Sequence, residues 1–356
     1  MIAAELRTAL AAAATEAGFP GHHPDAGLRD GGIPGRYTSS LPLRLASSTG
    51  PGPAELATRM AAALSHRGDI SDVAVTGNGY LTITVTGDAL GGLAVRMAEA
   101  GAGSARSGTL RGTTVPAPPG KDLAAAPSWA EAHRLITAQV TARLAEAAGA
   151  TIDVHDYPER GGARVPSPDD VPRTRTIPVA QAIDFAGADA VVCALARTPP
   201  ERPAAPDPAA WARHVPANPA YAVRYAHSCA ASTLRWAAAL GLSRGEAAAF
   251  RPGSLAHPRE RALLAALSWL PERAAQAARR GRPHEFTGYL EDLAQTYQEC
   301  REAWPAWPER GHEGARDTGR PEDARTVRAR LWLTGAAAAG LAAGLGLLGV
   351  SAPDRL

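Results

Sequence analysis

The sequence predicts an α+β protein: a small mixed module at the N-terminal end and an all-helical C-terminal half. Three observations carry this. Leu56, Met60 and Leu64 recur at a helical step, and the stretch from Val73 to Val85 then alternates apolar and polar residues as paired strands do. From Asn218 onward, helical patterns follow one another. Between these regions lie stretches rich in Gly, Ser, Thr and Pro, which punctuate structure. A chain of 356 residues accommodates two or three domains, and the expected divisions are 1–104, 105–200 and 201–356.

Residues 1–17 read as a short helix closed by Gly18 and Pro20, followed by a polar Gly/Pro-rich loop to about Arg36. Pro53 to Ser65 starts with proline and has Glu55 in its first turn, as helices do. Val73, Val75, Leu81, Ile83 and Val85 share one face of a hairpin turned at Gly77-Asn78-Gly79. Residues 100–122 read as a linker, and Trp129 to Ala148 as a helix ended by Gly149. Tyr157 to Pro178 reads as a polar connection, Ala180 to Arg197 as a helix, and Pro199 to Pro208 as a break. In the helical half, Tyr221, Tyr225, Cys229, Thr233 and Trp236 form one apolar face, with Arg224, Ser228, Ala231 and Arg235 on another. His257 to Ala278, Pro283 to Trp304 and Arg325 to Gly344 complete a bundle of helices. Leu331 to Val350 is uncharged and long enough to span a bilayer, but alanine dominates it, and Gly344, Gly346 and Gly349 are expected to break the helix near its end. A buried core helix is the reading adopted, with no membrane partner.

Composition narrows the function. A hydrophobic fraction of 45% and a charged fraction of 20% fit a folded domain and exclude wholesale disorder. The net charge of +2 excludes a histone-like polycation. Lys121 is the sole lysine and about 80 residues are alanine, a pattern of GC-rich coding, so arginine over lysine is not read as chemistry. Charge is uneven: residues 218–356 hold 18 arginines against 14 acids, making the helical half the better polyanion surface. Cys193, Cys229 and Cys300 lie far apart and form no Cys-Xaa-Xaa-Cys pair, which excludes a cysteine zinc site and suits a cytoplasmic protein. The N-terminal residues lack the pattern of a signal peptide.

Catalytic motifs are sparse. There is no phosphate-cradling Gly-Lys-Ser/Thr loop and no Gly-Xaa-Ser-Xaa-Gly elbow. His22 and His23 with Asp25 could hold a metal, but adjacent histidines on a Gly/Pro loop read as a solvated turn and no further ligand lies nearby at metal spacing, so no metal is expected. The acid pairs Asp169-Asp170 and Glu291-Asp292 are adjacent in sequence and point apart.

One segment changes the picture. Asn218-Pro219-Ala220-Tyr221-Ala222-Val223-Arg224-Tyr225-Ala226-His227 resembles the entry to the anticodon-binding domain of arginyl-tRNA synthetases. His257-Pro258-Arg259-Glu260-Arg261 and the final stretch Gly344 to Leu356 are similar to later parts of that domain, and Gly187-Ala188-Asp189-Ala190 to the end of the family's catalytic domain. Pro53 to Leu64 followed by Val73 to Ile83 resembles the family's N-terminal tRNA-binding module, with Thr82 where that module usually carries asparagine. The resemblance implies an N-terminal tRNA-binding module at 1–104, a truncated remnant of a class I catalytic domain at 105–200, and a DALR-type anticodon-binding bundle at 201–356.

The middle departs from the family. A His-Xaa-Gly-His signature is expected at Ser128-Trp129-Ala130-Glu131, where neither histidine nor glycine is present, and His133 does not restore the spacing. Arg173-Thr174-Arg175-Thr176 is the only basic stretch near the second, lysine-rich signature. Both signatures stabilise charge on ATP phosphates during adenylate formation, which needs those groups in place. The resemblance therefore implies a non-catalytic tRNA-binding protein whose partner is tRNA, above all tRNA-Arg. No cofactor follows, and ATP enters only if the chain is a working arginine–tRNA ligase. Tyr221 and Tyr225, Tyr80, and the terminal Asp354-Arg355-Leu356 are the implied tRNA contacts, with Arg224 and Arg235 on phosphates; the two tyrosines also suit a helix core and the arginines a solvated face. A third reading is an adaptor for a protein partner in a biosynthetic or translation-linked pathway, since Ala222, Thr82 and Leu356 replace residues the family often uses.

Overall fold

A computed structural model describes residues 3–21, 26–47, 50–118, 120, 122–154, 177–204, 207–303 and 321–356. The first elements are α1 (Ala3–Glu16), β1 (Leu28–Asp30), β2 (Arg36–Ser39), α2 (Leu41–Ala46), α3 (Pro53–Ser65), β3 (Ile70–Thr76), β4 (Tyr80–Val85), α4 (Gly87–Gly91) and α5 (Leu93–Ala100). Next come β5 (Thr114–Pro116), α6 (Trp129–Ala147), β6 (Thr151–Asp153), α7 (Val179–Ala186), α8 (Ala188–Arg197) and α9 (Pro208–Trp211). The remainder is helical: α10 (Pro219–Ala239), α11 (Pro258–Ser268), α12 (Leu270–Arg280), α13 (Pro283–Ala303) and α14 (Pro321–Leu348). The fold is mixed α+β with a helical C-terminal part, as the sequence predicts.

Described residues within 1–99, 234–269 and 299–336 form one compact unit. Its antiparallel sheet has the order β1-β2-β4-β3. Alternation along β2 and β4 sends Tyr37, Leu81, Ile83 and Val85 inward, where they meet the buried Leu56, Met60 and Leu64 of α3. The stretch before Arg36 is not wholly loop: Leu28–Asp30 pairs with β2, a strand too short to show an alternation. The Tyr37 hydroxyl is 2.9 Å from Ser268 Oγ, and its ring lies 5.5 Å from Trp269. Burial pushes the Tyr37 phenol up to about 12. Glu260 accepts from Arg330 Nε at 2.8 Å and from the His257 N–H at 3.0 Å, so a buried carboxylate both pairs an arginine and caps α11.

Described residues within 100–233, 270–298 and 337–356 form the second unit. Here the predicted linker at 100–122 carries a 3-10 turn at Gly101–Ala105 and the strand β5. β5 and β6 pair in parallel, Val115 opposite Ile152, with α6 as their crossover. Strands of three residues surrounded by Gly and Pro escape pattern reading. Three further expectations are corrected. The helix at 180–197 is two, α7 and α8, meeting at 117° around Gly187, whose φ of +87° strongly favours glycine. The helix at 257–278 is also two, because Pro271 in the first turn of α12 has no N–H to continue the run from α11. Gly344 and Gly346 do not break α14, which runs to Leu348 before Gly349 turns the chain at φ +78°. A Cβ on Gly344 would fall 2.3 Å from Leu290 Cδ2, so this glycine serves close helix packing. Among the described residues, α14 is the one continuous helix long and apolar enough to cross a membrane, and 72% of that apolar window is buried within the chain.

Candidate nucleic-acid interface

Asn218 builds the start of α10. Its Nδ2 donates to the carbonyls of Trp211 and Arg213, both at 2.7 Å, and its Oδ1 accepts from the Ala220 N–H at 3.2 Å. Pro219 then opens the helix, where a missing N–H costs nothing. Folding the preceding loop back in this way brings His214 against Tyr221. The two rings lie 5.3 Å apart at 14°, and Tyr221 and Tyr225 lie 5.5 Å apart at 14°. Three near-parallel rings thus form a row along α10, an offset-stacked arrangement.

The row does not lie in the core. Val223, Ala226, His227 and Ala230 form the buried side of α10, whereas Tyr225 is 39% exposed and Trp236, eleven residues further along the helix, is 63% exposed. The apolar step that the sequence offers as a core stripe is half-buried at Tyr221, Cys229 and Thr233 and exposed at Tyr225 and Trp236. His214 was not among the predicted contacts, because only the loop geometry set by Asn218 brings it to the row.

The chain's last residues lie along the same helix. Ser228 Oγ donates to the Pro353 carbonyl at 2.7 Å, and His227 Nδ1–H donates to the same oxygen at 3.1 Å. Asp189 Oδ1, in the first turn of α8, accepts from the Ser351 N–H at 3.1 Å, and Ser351 Oγ donates to Asp189 Oδ2. Arg224 Nη2 pairs with that carboxylate at 3.4 Å and donates to Ser351 Oγ at 3.3 Å. Asp354, Arg355 and Leu356 follow this anchored stretch and are exposed, Leu356 by 52%. Tyr221, Tyr225, Arg224 and the terminal tripeptide therefore belong to one unit. Tyr80 and Arg235 belong to the other. Tyr80 begins β4 opposite Thr76 and is 49% exposed. Thr82 shares its side of the sheet, with Thr82 Oγ1 3.3 Å from Thr76 Oγ1. Arg235 is half-buried on α10.

At the position of the first ATP signature, each side chain able to form a polar contact has a local partner. Ser128 Oγ accepts from the Glu131 N–H at 3.2 Å and caps α6. Trp129 Nε1 donates to the Ile177 carbonyl at 2.8 Å, and its ring meets Trp211 edge-on at 5.8 Å. Glu131 pairs with Arg134. Ala130 is half-buried and offers no polar group. His133 is buried, its Nε2–H donating to the Thr198 carbonyl at 3.0 Å, and burial lowers its pKa. The arginines at 173 and 175, His22, His23 and Asp25 lie outside the described residues.

Comparisons with known proteins fall on the two ends of the chain. Residues 4–85 match the arginyl tRNA synthetase N terminal domain, and residues 223–356 match the DALR anticodon binding domain. The chain is 39% identical over 175 residues to an arginine–tRNA ligase of Micrococcus luteus and 37% identical over 174 residues to one of Renibacterium salmoninarum. Each match covers 49% of this chain and 30% of the relative, so the matched part spans under a third of those proteins. The structure superposes on Thermus thermophilus arginyl-tRNA synthetase with a TM-score of 0.69 at 14% identity, over 100% of both chains, a likeness of fold.

Proposed function

We propose that this chain, an arginyl-tRNA synthetase relative by its N-terminal domain and its DALR anticodon-binding domain, binds tRNA through its helical part without performing aminoacylation. The observation that carries the reading is the ring row His214–Tyr221–Tyr225 at the edge of the matched anticodon-binding region, exposed at His214 and Tyr225 and half-buried at Tyr221. Unpaired loop bases are recognised by stacking on aromatic faces and by hydrogen bonds to their edges. A preformed row lets bases stack with little further ordering cost. The arginine excess of residues 218–356 supplies attraction to phosphates. Asp354, Arg355 and Leu356 lie at the end of a stretch anchored on the same helix and are the next candidates for base contacts. Tyr80 and Arg235 are proposed as contacts from the other unit. tRNA-Arg is the proposed partner, by kinship alone.

The non-catalytic part of the proposal rests on residues 128–131. Their polar side chains cap, brace and pair within the protein, and none offers a cation or free imidazole to a triphosphate. The competing reading is an arginine–tRNA ligase, favoured by the relatives' names. A third, the protein adaptor, is favoured by Ala222, Thr82 and Leu356 standing where the family commonly has other residues.

Binding of the purified chain to tRNA-Arg and to a non-cognate tRNA across a salt series separates these readings. Several-fold preference for tRNA-Arg supports the proposal. Equal, steeply salt-sensitive binding to both leaves only a basic surface. No binding at low salt refutes the tRNA reading in favour of the adaptor. Arginine-dependent exchange of pyrophosphate into ATP refutes the non-catalytic reading.

A further inference from the structure

We infer that Asp189 is a positioning residue: with Arg224 and Ser351 it forms a clasp that holds the terminal Asp354-Arg355-Leu356 beside the aromatic row of α10, so that rings and tripeptide grip an RNA loop together. The inference rests on the tRNA-binding reading and adds a device to it.

The geometry points this way from three sides. First, the carboxylate of Asp189 has a partner at each oxygen. Oδ1 takes the Ser351 N–H, and Oδ2 takes the Ser351 hydroxyl and the Arg224 guanidinium. A backbone N–H bonded to a carboxylate fixes the main chain at that residue, where a side-chain pair alone would not. Second, Pro353 is held two residues later by Ser228 and His227, so the path of the chain is pinned at two successive points. Third, the pins lie along the row. On a helix, Ser228 lies seven residues from Tyr221 and three from Tyr225, and Arg224 three from Tyr221, so the two faces read from the sequence are neighbours on one side of α10. Arg224 engages protein groups through Nη2, and in the clasp its role is to brace the chain in place of the phosphate contact the sequence suggests. Its aliphatic neighbours on α10 face the core, and its charge faces Asp189.

The test uses the full chain and a fluorescent anticodon stem-loop of tRNA-Arg. Variants are Asp189→Ala, Ser351→Ala, Arg224→Ala and deletion of residues 354–356, alone and in combination. Asp189→Ala and the deletion are each expected to weaken binding about tenfold, and the two together no more than the deletion alone, as coupled changes do. Ser351→Ala removes one exposed hydroxyl and keeps the fold; about a threefold loss is expected, again absent from the deleted chain. Amide exchange at Ser351 should accelerate in Asp189→Ala, a readout independent of RNA. Arg224→Ala is expected to leave the slope of log Kd against log salt unchanged, whereas losing a phosphate contact flattens it by about 0.7 on single-stranded RNA. Additive losses, an unchanged Ser351 exchange rate, or a flattened slope each overturn the clasp. If the unaltered chain binds no RNA while Ser351 exchange still responds to Asp189→Ala, the tRNA reading has failed, the clasp persists as architecture, and its role in RNA binding is refuted.

Discussion

Tyr225→Ala is the sharpest single test of the aromatic row. Tyr225 sits at one end of the row and is 39% exposed, while Tyr221 stacks on His214 as well. Removing Tyr225 therefore leaves the His214–Tyr221 pair intact. Within the protein the loss includes the Tyr221–Tyr225 ring pair at a half-open site, about 0.5–1.5 kcal/mol of folding stability. If a loop base stacks on the ring, binding loses a further 1–3 kcal/mol, roughly 5- to 150-fold in Kd. The two effects separate experimentally. Urea unfolding followed by far-UV circular dichroism reports the first; fluorescence anisotropy with the tRNA-Arg anticodon stem-loop, at a temperature where both proteins are folded, reports the second. Tyr225→Phe should bind within about twofold of the unaltered chain if the π-face does the work. The salt slope should not move, because no charge is lost. A Tyr225→Ala variant that is destabilised as expected yet binds within twofold would refute the stacking argument.

Glu260→Ala removes the buried carboxylate that takes the half-buried Arg330 Nε and caps α11, and should cost about 2–4 kcal/mol, read as a lowered urea midpoint. The buried Tyr37 phenol has its pKa raised in the fold, to about 12 from 10.0. Its contribution is present in full below pH 10.0 and is lost as pH rises toward 12, at about 1.4 kcal/mol per pH unit. Tyr37→Phe should therefore cost about 1 kcal/mol near neutrality through the lost Ser268 contact, yet flatten the alkaline limb of the stability profile; an equal slope in both proteins would contradict the assignment. Burial raises the Cys193 and Cys300 thiols as well, so only the difference between the two proteins isolates Tyr37. Gly349→Ala places a Cβ 2.5 Å from Arg143 Nη1, at φ +78°, where that guanidinium donates to the Leu348 carbonyl; thermal unfolding should register about 1–3 kcal/mol of loss.

Long periodic segments were legible and short or context-set ones were not. α3, α6 and α13 follow from apolar spacing and the residues at their ends, and the β3–β4 hairpin from strict alternation. β1, β5 and β6, at three residues each, present too few positions for a period to show. The breaks at Gly187 and before Pro271 were visible as residues but not as bends, because glycine and proline each occur inside helices when tertiary contacts hold them there. At the interface, Tyr221 and Tyr225 were found through their four-residue spacing, but which side they face was not. Spacing fixes that two residues share a face; which face is buried depends on how the alanine-rich opposite side of α10 packs. His214, Asp189 and Ser228 were invisible as partners because they are 7, 162 and 125 residues from Tyr221, Ser351 and Pro353. Only the folded chain brings them together.

The bracing at the start of α6 makes residues 128–131 costly to replace. Placing the second histidine of a His-Xaa-Gly-His signature at Glu131 would remove the carboxylate that pairs with Arg134. Replacing Ser128 by an imidazole would also take away the hydroxyl that caps α6. Each replacement costs the helix terminus a contact it now makes, the cap at Ser128 above all. A nucleotide signature engineered into residues 128–131 would therefore start from a weakened helix terminus, and a second stabilising change elsewhere in α6 would have to accompany it.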